Sequence, residues 1–274
     1  MSSLQPSNVK FFVIAFLVLV TSGSLVAFMW PSAITIAHQQ AGQLVAEGAL
    51  ANGGEAEADY HLATLLDPGN TAAHLGLAQQ LYSTGQFAAA LRSQEGAGES
   101  ATSQQIKVET LLELVRNQDA ATAADSLLAV CSTDNCIKLA AFAYDVSGRT
   151  SDSTALASRV SSPEAARSIT LAQAGPLPLA AQLYATGLLN SSSALLLQQP
   201  ESFERDLMLG QIYSSSTQKT DLLSAADYLE AATTLQPSNL QAHQLLASVF
   251  RSLNQSSNAG QQDQLVANLQ TGRP

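Results

Sequence analysis

The chain has 274 residues and a net charge of −10, with charged residues making up only 12%. The lack of clustered Lys and Arg argues against binding a phosphate backbone, so no nucleic-acid partner is expected. At 46% hydrophobic but 5% aromatic residues, the length suits one extended domain or two compact ones, with helix surfaces covered by Ser, Gln, Thr and Asn in place of ion pairs.

Residues 1–10 form a short start that carries Lys10, and an apolar segment at 11–30 follows. Phe11 to Met29 reads FFVIAFLVLVTSGSLVAFM without a charge, and Trp30 stands at its edge. As a helix this run spans roughly 29 Å, close to the hydrocarbon thickness of a bilayer, and an indole prefers the headgroup region. A single transmembrane helix is expected. The alternative is a cleaved signal peptide with Lys10 as its basic region and Ser22-Gly23-Ser24 as its cleavage site, but the apolar run resumes after Ser24. No charge follows the span until Glu47. The positive-inside rule therefore keeps the N-terminus cytoplasmic and places the rest of the chain outside, as a single-pass protein of the cell membrane.

From 37 to 274 the pattern is all-α. Apolar residues recur at three- and four-residue spacing, and short Gly, Pro, Asn and Ser turns separate the runs. In "LDPGN", Pro68 cannot continue a helix, Gly69 permits a left-handed turn, and Asn70 can cap the next helix. In "SSPEAA", Ser162 is the cap, Pro163 suits the first turn, and Glu164 meets the positive end of the dipole. Cys131 and Cys136, the only cysteines, flank an interhelix turn. Such a pair suits a disulfide in an oxidising compartment, and no further Cys or nearby His completes a zinc site. Two small buried residues are the alternative reading.

The segments repeat. "AQQLYSTG" at Ala78–Gly85 returns as "AAQLYATG" at Ala180–Gly187, 102 residues later, three periods of 34. "ATLLDPGNTAAHLGLAQQL" from Ala63 returns as "ATTLQPSNLQAHQLLASVF" from Ala232, at an offset of 169. In the tetratricopeptide repeat family, helix A reads Trp-x2-Leu-Gly-x2-Tyr and helix B carries spaced alanines, an aromatic and a closing Pro. Helix B matches at Ala56, Tyr60, Ala63 and Pro68, and again at Ala225, Leu229, Ala232 and Pro237. Helix A matches at Leu77, Ala78 and Leu81, with Gly85 in the turn and Ala90 beyond it, and again at Leu246, Ala247 and Phe250. The chain thus resembles that family, with His74 and His243 in place of its Trp. The central stretch, 103–176, matches in periodicity alone.

The resemblance implies a solenoid, an α-α superhelix of about seven helical hairpins starting near 37, 71, 102, 136, 177, 204 and 239. The fourth is lengthened, its second helix interrupted at Pro163, and the sixth has the long turn "SSSTQKT".

No G-x-S-x-G elbow, G-x-x-x-x-G-K loop or H-E-x-x-H pair occurs. No enzymatic activity, cofactor, metal or small-molecule substrate is expected. His38, His61, His74 and His243 never take metal-ligand spacing, and the equivalence of His74 and His243 points to packing. Glu55, Glu57 and Asp59 read as a solvated acidic face.

The family generally holds peptides or partner proteins on a concave surface lined by its A helices. The resemblance makes Leu75, Gln79, Tyr82, Ala181, Tyr184, Gln244, Ser248 and Arg251 the candidate groove residues. Tyr82 and Tyr184 are either interface anchors or rings packed between hairpins. Grooves that clamp a C-terminal carboxylate need several cations, and this set contributes only Arg251. The expected role is a membrane-anchored interaction scaffold with an extracytoplasmic repeat domain, assisting secretion or envelope assembly. The alternative is a structural or self-assembling repeat protein with no separate ligand.

Overall fold

The computed structural model describes residues 31–51 and 53–271; the segment 1–10 and the expected membrane span at 11–30 lie outside them. Among the described residues no helix is long and apolar enough to cross a membrane. They form fifteen helices and no strand. These are α1 Pro31–Leu50, α2 Gly54–Leu66, α3 Thr71–Ser83, α4 Phe87–Gln94, α5 Ala101–Glu113, α6 Asn117–Val130, α7 Asp134–Ser147 and α8 Thr150–Ala157. Then come α9 Pro163–Ala172, α10 Pro176–Ala185, α11 Leu189–Leu197, α12 Phe203–Ser214, α13 Lys219–Leu235, α14 Leu240–Ser252 and α15 Ser256–Thr271.

Seven hairpin units account for all but one helix: α1/α2, α3/α4, α5/α6, α7/α8, α10/α11, α12/α13 and α14/α15. The A helices of units two to seven start within two residues of the positions expected from the sequence. The first is already helical at Pro31, since nothing between Ile34 and Ala37 breaks a helix. The helix left over is α9. The chain stops at Ala157 and restarts at Pro163, and the new helix packs against α7, α8 and α10. Its start is held twice. The Ser162 hydroxyl accepts from Ala165 N–H, and the Asp134 carboxylate of α7 accepts from the main-chain N–H groups of Ser161 and Ser162, at 2.9 and 2.7 Å.

Two kinds of turn alternate along the array. Five helices that open a unit carry a side-chain cap, Asn70 on α3, Ser100 on α5, Thr133 on α7, Ser202 on α12 and Asn239 on α14, whereas α10 starts at Gly175 without one. Within hairpins the turn is closed by a residue of positive φ, namely Gly85, Val115, Gly148, Gly187 and Asn254. Each is followed by the same long bond, from Gln86, Arg116, Arg149, Leu188 or Gln255 N–H back to the carbonyl five residues earlier. This is the Schellman closure of a helix C-terminus.

Val115, at φ 56°, is the misfit, because a β-branched residue in the left-handed region costs about 1–2 kcal/mol. Its side chain is exposed, so removing it sacrifices little packing. Val115→Gly is therefore expected to raise stability by about 1 kcal/mol in urea unfolding, whereas Gly187→Val at the equivalent turn lowers it. A destabilised Val115→Gly would remove the strain argument.

The alanines picked out by the repeats lie at the tight helix contacts: Ala56, Ala63, Ala78, Ala90, Ala225, Ala232 and Ala247 are all fully or almost fully buried. The apolar interior is not one continuous column. A large cluster runs from Val108 to Leu188 and includes Phe142, Leu127 and Leu183. Smaller ones lie on either side, around Tyr60 and Leu77 in the first units and around Leu229 and Phe250 in the last.

One contact breaks the nearest-neighbour rule of simple solenoids. Helix α11 reaches past unit four to the end of α5. Asn190 N–H donates to Glu113 Oε2 at 3.1 Å, and Asn190 Nδ2 donates to the Glu113 main-chain oxygen at 3.2 Å. The Ser191 hydroxyl donates to the Leu112 carbonyl.

Candidate functional site

The cleft is placed by the helices that open the central units. In units three to five these are α5, α7 and α10, and α9 is wedged beside the last two. Between α7, α9 and α10 lies a cleft of about 500 Å³ lined by Asn135 and Lys138, by Arg167, Ser168 and Leu171, and by Gln182 and Thr186. A second recess of about 270 Å³ adjoins it toward α5, sharing Asn135, Lys138, Ala185 and Thr186 and adding Gln105 and Glu109. Together they make one trough across the A helices.

The electrostatics follow from which charges are already engaged. Asp134 borders the cleft, but its carboxylate is taken up by α9, and the donated Ser161 N–H, with Ser162, holds its pKa below the usual range. Among the described residues, Lys138 and Arg167 make no ion pair, whereas Arg116, Arg149, Arg205 and Arg251 all do. Ser168 donates to Gln182 Oε1 at 2.6 Å, fixing the wall between α9 and α10. Leu171 is 46% exposed, a large apolar side chain at the cleft's edge. On the α5 side, burial pushes the Glu109 carboxyl up, partly offset by the Gln105 amide that donates to it at 2.8 Å. The trough thus offers two cations without ion pairs, the exposed carboxylate of Glu164, an apolar edge and several amide and hydroxyl groups. Among the described residues no group of His, Cys, Asp and Glu is placed to hold a metal ion.

The eight residues expected in the groove fall on three separate helices. On α3, Gln79 is exposed and Leu75 half-buried. Tyr82 is half-buried, edge-on to Phe87 with ring centroids 5.4 Å apart. Burial, with the carboxylates of Glu109 and Glu113 facing it, pushes its hydroxyl pKa up. On α10, Ala181 is half-buried and Tyr184 exposed, but the cleft uses their neighbours Gln182, Ala185 and Thr186. On α14, Gln244 and Ser248 are exposed, and Arg251 is engaged by Asp263 of α15. None of the eight lines the central trough. No local sequence pattern marks Lys138, Arg167 and Leu171: Lys138 and Arg167 reach the same cleft only through α9, which has no counterpart in other units.

His74 and His243 have the same task in two units. Each ring's Nε2 lies about 3 Å from the carbonyl of the preceding turn's proline, Pro68 or Pro237, so the histidine ties its A helix to the inter-unit turn. Cys131 and Cys136 are joined as a disulfide, Cα–Cα 6.1 Å, across the turn from α6 to α7.

No protein-family model matches the chain, and no curated protein matches it. Among solved structures, the chain is similar to a tetratricopeptide repeat protein from Parabacteroides merdae ATCC 43184, at 13% identity and TM-score 0.41, covering 87% of this chain and 93% of that one. It is similar to MamA protein at 10% identity and TM-score 0.31, covering 73% of this chain and 92% of that one. It is also similar to yeast Tom70 at 16% identity and TM-score 0.36, covering 86% of this chain and 51% of that one. Identities and scores this low carry no weight on function; the array of helical hairpins stands on its own helix pairing.

Proposed function

We propose that this chain is a non-enzymatic interaction scaffold that receives a segment of a partner protein in the trough across α5, α7, α9 and α10. The observation that supports it is the pairing of Lys138 and Arg167, two cations without ion-pair partners among the described residues, with the exposed Leu171 in one cleft. In a chain of net charge −10, free cations gathered in a concavity favour a segment bearing a carboxylate and an apolar side chain. The absence of hydrolase, nucleotide-loop and metalloprotease motifs from the sequence agrees with a binding role.

The scaffold is further proposed to be held at a membrane by residues 11–30, with 1–10 in the cytoplasm and the repeats on the opposite side, serving secretion or envelope assembly. The uncharged run Phe11–Met29 supports the anchor, and the Cys131–Cys136 disulfide favours an oxidising compartment. A reporter active only outside the cytoplasm, fused at Pro274, is expected to be active; activity of a cytoplasm-only reporter there would reverse the orientation.

The groove is tested by a photo-crosslinking side chain at Gln182 in the full chain, with exposed Thr154 on α8 as control. A discrete adduct is expected at Gln182 alone, falling at least about tenfold with Lys138→Glu and Arg167→Glu together, as expected for loss of two desolvated charge contacts. An adduct between two copies of this chain would select the self-assembling alternative. Equal adducts at both positions, or insensitivity to charge reversal, would discard the cleft as the binding site.

A further inference from the structure

The seam between α5 and α11 joins units three and five past unit four, a contact that a nearest-neighbour solenoid lacks, and its geometry singles out Glu113. The Glu113 side chain sits at the end of α5, 5% exposed. One carboxylate oxygen accepts from the N–H of Asn190 at the start of α11, a helix whose own N-cap, Leu188, provides no side-chain acceptor. Glu113 is therefore the cap of a helix 77 residues away in sequence. Its other oxygen, Oε1, is buried and has no hydrogen-bond partner.

The charges around it compound the problem. Glu109 lies one turn back on α5, and Tyr82 faces both carboxyls from α3. Helix α11, LNSSSALLL, has no ionisable residue. Tyr184 of α10 is exposed, and Lys138 of α7 lines the recess at the level of Glu109. On α6, Asp119 and Asp125 are about half exposed and paired with Arg116 and Arg149. No cation is ion-paired to Glu113 among the described residues. A neutral carboxyl tolerates this site, whereas an anion leaves a bare buried oxygen beside another acid.

We propose that Glu113 is a proton-held latch: the α5–α11 seam is closed while the carboxyl carries its proton and opens when it ionises, uncovering the C-terminal end of α5. Burial raises the Glu113 pKa to about 7, opposed by the Asn190 and Leu189 N–H groups at the start of α11, with Glu109 adding to the rise. The sign follows from linkage. The closed state has the raised pKa, so its stabilisation is complete below the ordinary glutamate range and is lost as pH climbs through about 7. The device needs no partner, and it touches the neighbouring trough through Glu109, which lines the recess.

The test uses the full chain with its disulfide intact and nitroxide labels at Thr122→Cys on α6 and Gln198→Cys after α11, both exposed. Pulsed-dipolar distances are expected to give one narrow peak at about pH 5.5 and a second, longer population at about pH 8.5, with a midpoint near 7. In the same background Glu113→Gln should keep the narrow peak at both pH values. Asn190→Ala with Ser191→Ala, which removes the two side-chain bonds of the seam and leaves the Asn190 N–H on Glu113, should show more of the long population at low pH, which keeps the idea testable even if Glu113→Gln does not fold. An unchanged distribution between the two pH values would overturn the latch. So would opening of Glu113→Gln with the parent's pH dependence, or a seam still closed at low pH without the Asn190 and Ser191 side chains.

Discussion

Phe142→Ala should cost about 3–5 kcal/mol and unfold the middle of the chain before its ends. Phe142 is completely buried in the cluster that joins α5 through α10, the largest fully buried side chain among the described residues. Truncation removes its transfer free energy and leaves a cavity whose walls belong to helices already held by the α5–α11 seam, so collapse around it is restricted. In a linear array such damage reaches no further than the immediate neighbours of the hairpin, which for unit four are units three and five. Here one core spans units three to five, and the loss should appear as a shared fall in hydrogen-exchange protection from Ala101 to Leu188. Helices α2–α4 and α13–α15 contain clusters of their own and should keep more of theirs. A fall confined to α7 and α8 would refute the shared core.

Ala232→Leu should destabilise the last two units by about 1–3 kcal/mol, and Ala231→Leu should be close to neutral. Ala232 is at 0% exposure on α13, equivalent to the equally buried Ala63 on α2, while Ala231 faces solvent. A leucine at the first position brings three carbons into a space cut for one methyl; at the second it points about 100° away around the helix. Thermal melts with limited proteolysis report both. Similar melting temperatures for the two variants, or a worse Ala231→Leu, would mean that the buried side of α13 is assigned to the wrong residues.

Six of the seven A-helix starts could be read from the sequence because the fold spends its most specific residues there. Alanines mark contacts too close for larger side chains, and Asn70 and Asn239 mark two of the caps. Gly85 and Gly187 announce their turns, but the third hairpin's turn does not announce itself. It is closed by Val115, held in a glycine's conformation by bonds to Leu111 and Leu112 carbonyls that residue type alone does not reveal. The trough was less legible. The candidate groove residues were chosen by equivalence between units, and equivalence cannot locate a wall made by α9, which exists once. Lys138 and Arg167 are 29 positions apart, and only the restart at Pro163 brings them to the same cleft. The role of Glu113 depends on Asn190, a separation no local pattern encodes.

The reach from Glu113 to Asn190 also bears on the order of assembly. The other main contacts in the array join helices no more than three apart in sequence, the kind of local pairing that forms in microseconds to milliseconds. Bringing α11 to α5 instead requires an intervening stretch of some 77 residues to be ordered first, and the entropy of that closure is met before its contacts are gained. During synthesis the first four helices can finish folding while the fifth waits, its inner side bare, until α11 leaves the ribosome. Refolding should accordingly show a fast phase reported by the flanking hairpins and a slower one reported at the seam.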